Sequence, residues 1–175
     1  MKQRITIEEY SIKWESEFNK LQTLINDVME DSILFIEHVG STSIKGLAAK
    51  PILDINIVIE DYKVFPEVVT KLETMGYYHQ EEWSFKGREA FGRKDAFVPW
   101  SEENTVWMEH HLYVCDKNSE ELRRHIVFRD YLREHEDVAV EYRHLKEELA
   151  RESKSRTSYS EGKTKFITNI LEEIN

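Results

Sequence analysis

Apolar residues near the start of the chain recur at the spacing of an amphipathic helix. Thr6 and Glu9 stand three positions apart, as in a capping box, immediately before this stripe. The pattern predicts a first helix over residues 7–29. Its apolar stripe consists of Tyr10, Trp14, Phe18, Leu21, Leu24 and Val28.

Short runs of β-branched and aromatic residues, bounded by turn residues, follow in the middle of the chain and predict strands. These runs occupy residues 33–37, 52–59, 77–85, 90–98 and 105–115. Helical spacing over residues 66–75 predicts a second helix among them, with Pro66 in its first turn and Gly76 just past its end. Breaks that contain Gly, Pro and Asn separate the last three runs, which favours hairpin connections.

The last third of the chain is helical in pattern. Asn118, with Glu121 three positions later, predicts a helix start, and the break at residues 134–137 starts a second helix that runs to residue 150. The polar residues 151–158 predict a loop, and a final helix follows Tyr159.

The final helix carries an apolar stripe that would be exposed unless the helix packs back on the sheet. This stripe consists of Phe166, Ile167, Ile170 and Leu171. The elements together predict an α+β (α/β) fold, in which one mixed β-sheet packs against N-terminal and C-terminal helices.

The composition is that of one globular domain, residues 1–175, with 40% hydrophobic and 33% charged residues. No apolar run approaches the roughly 18 to 20 residues of a membrane span, and the N-terminus lacks the apolar core of a secretory signal. Cys115 has no partner for an internal disulfide and is most simply a small buried hydrophobe. We therefore expect a cytoplasmic protein without a membrane partner, whose oligomeric state the sequence leaves open.

The net charge of -10 limits the partners of the protein. Non-specific binding to nucleic acid draws its affinity from Lys and Arg side chains that neutralise phosphates, so generic DNA binding is not expected. A few cations inside a cleft could still hold one small phosphorylated ligand.

A Gly-Ser turn and the strand after it carry the candidate chemistry. Gly40 and Ser41 follow a predicted strand, where a glycine permits close approach and backbone N–H groups and a hydroxyl can bind a phosphate oxygen. Asp54 and Asn56 are two positions apart and share one face of the next strand. Aliphatic residues fill the other face: Leu53, Ile55, Ile57 and Ile59.

An uncompensated carboxylate on a largely buried strand costs several kcal/mol, so Asp54 is expected to have a cation beside it. A metal ion is one candidate. Lys50 or an arginine from a neighbouring strand is the other, and the strand pattern leaves both open.

Residues 38–59, HVGSTSIKGLAAKPILDINIVI, resemble the signature of the GrpB family. Residues 110–114, 128–133 and 159–167 are similar to later segments of that family, so the resemblance covers nearly the whole chain. It implies a nucleotidyltransferase-like fold.

In the wider nucleotidyltransferase superfamily, a Gly-Ser turn precedes a strand that bears two acids separated by one residue, and a later strand adds a third acid. These acids hold Mg²⁺. Asp54 matches the first acid, whereas Asn56 places a weaker neutral ligand at the second position. For the third, Glu109 and His111 share a strand face, and Glu109 is the conventional oxygen ligand.

The resemblance thus implies a metal-dependent nucleotidyltransferase that moves NMP from an NTP to an unknown acceptor, with Mg²⁺ or Mn²⁺ as cofactor. The alternative is a catalytically inactive nucleotide- or ligand-binding module, which the neutral amide of Asn56 favours. Catalytic roles are expected for Asp54, Asn56 and His111, phosphate binding for Gly40, Ser41, Lys50 and Arg129, and metal binding for Asp54 and Glu109.

Other side chains have an ordinary interpretation beside a functional one. His38 could join Asp54 and His111 at a transition metal, but the histidines lack the spacing of a known zinc site. Solvated surface charges are expected at Lys45, Arg88, Arg93, Lys94 and Arg133, and core or edge packing at Trp83, Trp100 and Trp107.

Overall fold

One five-stranded mixed sheet organises residues 4–175, which the computed structural model describes. The strands are β1 (Phe35–Val39), β2 (Leu53–Ile59), β3 (Tyr77–His79), β4 (Glu89–Arg93) and β5 (His110–Asp116). Their order across the sheet is β1-β2-β5-β4-β3, with β2 and β5 parallel and the other pairs antiparallel. The predicted α+β class is confirmed.

Five helices pack around this sheet in the described part of the chain. They are α1 (Ile12–Met29), α2 (Phe65–Thr74), α3 (Glu120–Glu134), α4 (Glu136–Glu152) and α5 (Arg156–Ile174). None of the helices within residues 4–175 combines the length and the apolar character that crossing a membrane requires.

The first helix starts later than the sequence pattern predicts. Glu8 and Ala49 exchange two backbone hydrogen bonds of 2.9 Å, which hold the chain extended at the position of the expected first turn. The helix is capped instead by Ser11, whose side chain accepts a hydrogen bond from the backbone N–H of Lys13. The proposed capping box of Thr6 and Glu9 is therefore wrong.

The middle strands are shorter than predicted, and the first strand begins two residues later than expected. A 3₁₀ turn at residues 81–83 interrupts the strand predicted over residues 77–85. Residues 94–109 form a loop, in which aromatic side chains make contacts that fix its course. Trp107, for example, donates its indole N–H to the carbonyl of Pro99 at 2.8 Å. The aromatic residues of this segment led to the prediction of longer strands, but aromatic rings that pack against the protein stabilise a loop as well as a strand.

The helix starts in the last third also shift. Ser119, not Asn118, caps α3, because its hydroxyl accepts from the backbone N–H of Leu122. Helix α5 begins at Arg156, where Ser155 and Ser158 form a capping box, so the predicted loop is largely helical.

The two faces of β2 meet different surroundings. We call the side that bears Leu53, Ile55 and Ile57 the packed face; these side chains are fully buried in a core shared with α1 and α2. The opposite side, which we call the cleft face, bears Asp54 and Asn56 and lies toward the last three helices.

The prediction that the apolar stripe of α5 packs on the sheet is wrong. The stripe packs in a second hydrophobic core instead. That core joins the last three helices to the loop after the Gly-Ser turn. Its buried members are Ile44, Leu47, Phe128, Leu132, Tyr142, Ile170 and Leu171. Helix α5 packs on α3 and α4, and a cleft lies between these helices and the cleft face of the sheet.

Candidate functional site

A cleft lies above the carboxylate of Asp54, walled by the Gly-Ser turn, β5, α4 and α5. The parallel pairing of β2 with β5 places Asp54 beside His111. His111 Nδ1 donates a hydrogen bond to Asp54 Oδ1 at 3.1 Å, while half of the His111 side chain (52%) is exposed. The structure thus brings together two of the three residues to which the sequence assigns catalytic roles.

The Asp54 carboxylate is held in its charged form. Burial alone would raise its pKa, but the hydrogen bond from His111 and the electrostatic effect of His111, Lys163 and His125 outweigh burial, so the pKa is lowered. The side chain remains one-third exposed (34%), toward the interior of the cleft. Asp54 is therefore an accessible anion at neutral pH.

Gly40 is required by the close approach of the turn to β2. Its φ is 76°, in the left-handed region, and a Cβ at this position would lie 2.3 Å from Asp54 Oδ2. Ser41, the next residue, lines the cleft and contacts the Tyr142 side chain. The glycine thus leaves room for the carboxylate of Asp54 against the turn. The expected contact of Gly40 and Ser41 with phosphate stays a prediction.

Three lysines converge on the cleft from separate elements. Lys50 precedes β2, and its ammonium lies 4.9 Å from the centroid of the Tyr159 ring. Lys163 of α5 lies 4.7 Å from the same centroid. Lys146 of α4 donates to the carbonyl of Ala48 at 2.5 Å and lies 4.8 Å from the Tyr142 ring centroid.

Within residues 4–175, none of the three ammonium groups forms a salt bridge with a carboxylate. Lysine salt bridges within residues 4–175 lie elsewhere on the protein. Burial and mutual repulsion lower the pKa of Lys146 to about 7 and that of Lys163 to about 8, and burial also lowers the pKa of Lys50. Such a cluster is costly unless an anion compensates it, and among the described residues Asp54 is the one carboxylate that lines the cleft.

Two further groups complete the wall. Arg88 stacks its guanidinium on the ring of Tyr113, 4.4 Å from the centroid, so the prediction that it is a solvated hairpin charge is wrong. His125 of α3 pairs through Nε2 with Glu121 at 3.2 Å, and its buried Nδ1 has no hydrogen-bond partner within residues 4–175.

The remaining predicted residues lie apart from these groups. Asn56 is fully buried on the cleft face, and neither its amide nitrogen nor its oxygen has a partner in the described residues. Glu109 is exposed just before β5 and does not line the cleft. Arg129 is buried and donates to Glu37 and to the carbonyl of His38, which ties α3 to β1. His38 itself stacks on Phe18 at 4.5 Å, on the packed face.

The donors for a metal ion are correspondingly few. Within residues 4–175, no three His, Cys, Asp or Glu side chains lie close enough together to hold one. Asp54 offers a single carboxylate whose Oδ2 accepts no hydrogen bond from described residues. That set fits one Mg²⁺ delivered with substrate phosphates, since Mg²⁺ keeps several waters and needs only one or two carboxylates, but it does not fit the three-acid pattern.

Comparison with known proteins decides the family. A family model described as GrpB protein matches residues 4–173. The chain belongs to the GrpB family. It is 30% identical to the glutamate-rich protein GrpB of Alkalihalophilus pseudofirmus, a similarity that covers 99% of this chain and 97% of that protein. The crystal structure of GrpB from Enterococcus faecalis is 26% identical, with a TM-score of 0.73 over 95% of this chain and 99% of that one.

More distant structures establish the fold of this GrpB chain. A structure of the Cid1 poly(U) polymerase with bound MgGTP superposes with a TM-score of 0.52 at 10% identity. The match covers 76% of this chain and 41% of the Cid1 chain. The nucleotidyltransferase-like fold expected from the resemblance is confirmed.

Sequence reasoning missed the helical wall of this GrpB cleft. Tyr142 and Lys146 stand four residues apart on α4, and Tyr159 and Lys163 stand four apart on α5. A repeated Tyr-x₃-Lys spacing puts each tyrosine and lysine on one helix face. That signal was visible in the sequence, but only the packing of α4 against α5 turns both pairs toward Asp54.

Proposed function

We propose that the cleft binds the phosphates of a nucleoside triphosphate. The observation that carries this proposal is the convergence of Lys50, Lys146 and Lys163 on a cleft to which residues 4–175 contribute a single carboxylate, that of Asp54. In a chain of net charge -10, one buried and two half-buried lysines that form no salt bridge within residues 4–175 indicate a specific anionic ligand. The nucleotidyltransferase-like fold supports a nucleotide as that ligand, by analogy of fold alone.

The tyrosines give the cleft its selectivity for a compact polyanion. The rings of Tyr142 and Tyr159 lie against the lysine ammonium groups and place no negative charge beside them. A phosphate chain entering the cleft would form charge-assisted hydrogen bonds that the protein itself does not supply.

A second candidate, transfer of NMP to an acceptor, is favoured by the pair of Asp54 and His111. The carboxylate fixes the ring of His111 and its Nδ1 proton, as in a base oriented by an acid, and leaves Nε2 without a hydrogen-bond partner among residues 4–175. His111 Nε2 would take the proton of an acceptor hydroxyl. The oxygen of that hydroxyl would form a bond to the α-phosphorus of the NTP. The bond from the α-phosphorus to the oxygen that bridges it to the β-phosphorus would break, and pyrophosphate would leave with both electrons of that bond.

Mg²⁺ or Mn²⁺ would be bound by Asp54 Oδ2 together with the phosphates, and would offset charge on the leaving pyrophosphate. The lysines would hold the same phosphates from the other side of the cleft. Glu109 lies outside the cleft, so its role as a further ligand is the weakest of the predicted metal contacts.

Calorimetric titration of the protein with each NTP, with and without Mg²⁺ or Mn²⁺, tests the binding proposal. Lys163→Gln is expected to weaken binding by about 10- to 100-fold, because a hydrogen bond to a charged group contributes about 1.5–3 kcal/mol. Lys165→Gln is the matched control, since this exposed lysine of α5 does not line the cleft. Equal affinity in the two variants, or no binding by the unaltered protein, would contradict the proposal.

Release of pyrophosphate by the unaltered protein and by Asp54→Asn separates the two candidates. For a transferase, Asp54→Asn removes the metal-dependent part of NTP binding and, like His111→Gln, abolishes release of pyrophosphate. For a binding module the unaltered protein binds NTP and releases no pyrophosphate with any acceptor offered.

A further inference from the structure

A groove runs from the cleft across the outer strands on the same face of the sheet. We define it by Tyr78, Trp83, Arg88, Gly92 and Arg156, and its volume is about 1020 Å³. It shares Lys50, Arg88, His111 and Tyr113 with the cleft. His111 therefore stands where the two depressions meet.

The floor of the groove carries exposed aromatic rings. Tyr78 pairs with Gly92 across the strands, and a Cβ on Gly92 would lie 2.5 Å from Tyr78 Cζ, so the tyrosine ring rests directly on the glycine. The ring remains 41% exposed. Trp83, on the adjacent 3₁₀ turn, is 64% exposed, which is unusual for so large an apolar side chain.

A guanidinium is fixed at the same place. Arg88 lies between the rings of Phe85 and Tyr113, 4.5 and 4.4 Å from their centroids, and one of its terminal nitrogens donates to the carbonyl of Trp83. Its Nε is buried and has no hydrogen-bond partner in residues 4–175. A buried donor in this position favours a ligand with an acceptor.

Positive charge predominates in the groove although the protein is acidic. The cations that line it are Arg4, Lys50, Arg88 and Arg156, and the acids are Glu109 and Glu161. Arg93 also borders the groove, but its guanidinium donates to the carbonyls of Val98 and Ala96 on the packed face. The groove is thus locally positive, opposite in sign to the net charge of the whole chain, which is -10. Exposed aromatic rings among cations are the surface on which unpaired bases stack while phosphates meet Arg and Lys.

We propose that the groove binds the terminal nucleotides of a single-stranded oligonucleotide. This inference rests on the proposed function, because it supplies the acceptor: the terminal hydroxyl would lie at His111, beside the α-phosphate in the lysine-lined cleft. The negative charge elsewhere repels longer nucleic acid, so the terminus is bound and the duplex is not.

Fluorescence anisotropy of a labelled single-stranded RNA hexamer tests the groove, with a DNA hexamer of the same sequence and the RNA duplex beside it. Trp83→Ala is expected to weaken hexamer binding about tenfold, the effect of losing one stacked base, while Trp83→Phe retains most of the affinity. Tyr78→Ala should have a similar effect. Phe97→Ala is the control, because Phe97 is a comparably exposed aromatic outside the groove.

The NTP titration on the same variants distinguishes this inference from the proposed function. Weak hexamer binding in Trp83→Ala with unchanged NTP affinity supports the groove. Hexamer affinity that is equal in Trp83→Ala and Phe97→Ala, no hexamer binding at all, or tighter binding of the duplex overturns it, whatever the NTP result. Loss of NTP binding in Lys163→Gln remains the separate measure of the cleft.

Discussion

The two faces of strand β2 differ in how their side chains are accommodated. On the packed face, Leu53, Ile55 and Ile57 are fully buried among apolar neighbours. On the cleft face of the same strand, Asp54 opens into a cavity and Asn56 is buried without a hydrogen-bond partner among residues 4–175. One strand thus stabilises the fold through one face and carries polar groups at a cost to stability on the other, which is typical of a functional surface.

Replacing one residue on each face should change stability in opposite directions. Ile57→Ala is expected to lower the free energy of unfolding by about 2–5 kcal/mol, because it leaves a cavity in a closed core. Asn56→Leu keeps the side-chain size and removes two unpartnered polar atoms, so it should raise the free energy of unfolding by about 1–2 kcal/mol. Urea unfolding at pH 7.5 measures both.

A destabilised Asn56→Leu variant would contradict the comparison, since it would show that the amide has partners in solution. Ile57→Val is the graded control on the packed face and should lose only about 0.5–1.5 kcal/mol.

Two glycines sharpen the comparison at the turn. Gly40 and Gly46 both have positive φ, 76° and 84°, so an alanine at either position costs about 1–2 kcal/mol of backbone strain. Gly46 has no atom within 4 Å of a built Cβ, whereas Gly40 faces Asp54 Oδ2 at 2.3 Å. Gly40→Ala should therefore lose about 1 kcal/mol more in thermal unfolding than Gly46→Ala, and should also lose the metal-dependent part of NTP binding.

Equal unfolding free energies and equal NTP binding in the two alanine variants would show that Asp54 moves freely away from the turn. Its carboxylate would then not be held by Gly40, and the close contact would have no functional meaning.

The sequence predicted the strand that divides these faces but not the wall opposite it. Alternation along residues 53–59 is a local signal, so the positions of Asp54 and Asn56 were readable. Pairing of Asp54 with His111 depends on two strands 57 residues apart in sequence meeting in one register. The lysines on α4 and α5 depend on how these helices pack, which no local pattern encodes.

Boundary errors had a local cause. The Thr6 and Glu9 pair has the spacing of a capping box, but the bridge between Glu8 and Ala49 keeps that segment extended. The position of Arg129 was not readable from the sequence for a different reason. The sequence pattern does not decide toward which neighbouring element a basic side chain on a helix points. Phosphate binding was expected, whereas the guanidinium of Arg129 donates a hydrogen bond to Glu37 on β1.

The last expected effect is a change of stability and ligand affinity with pH, in opposite directions. Burial lowers the pKa of Lys146 to about 7, far below its ordinary value of 10.5. Between these values the unfolded chain binds more protons than the folded one, so this lysine makes the free energy of unfolding rise as pH rises. Lys146→Met should therefore flatten the dependence measured by urea unfolding from pH 7.5 to 9.

Affinity for NTP should fall over the same range. A bound polyphosphate raises the pKa of each lysine it contacts, so binding is strongest below the free-protein pKa values of about 7 for Lys146 and about 8 for Lys163, and weakens by up to about tenfold per pH unit per lysine above them. The neighbouring charges of Lys50, Arg143 and Glu147 shift the midpoint but not the sign. Titrations at pH 7.5 and pH 9 with Lys165→Gln as control measure the slope. An affinity that stays constant with pH would show that the ligand contacts neither lysine, because Lys163 loses most of its charge within this range and Lys146, already largely neutral at pH 7.5 in the free protein, loses the remainder.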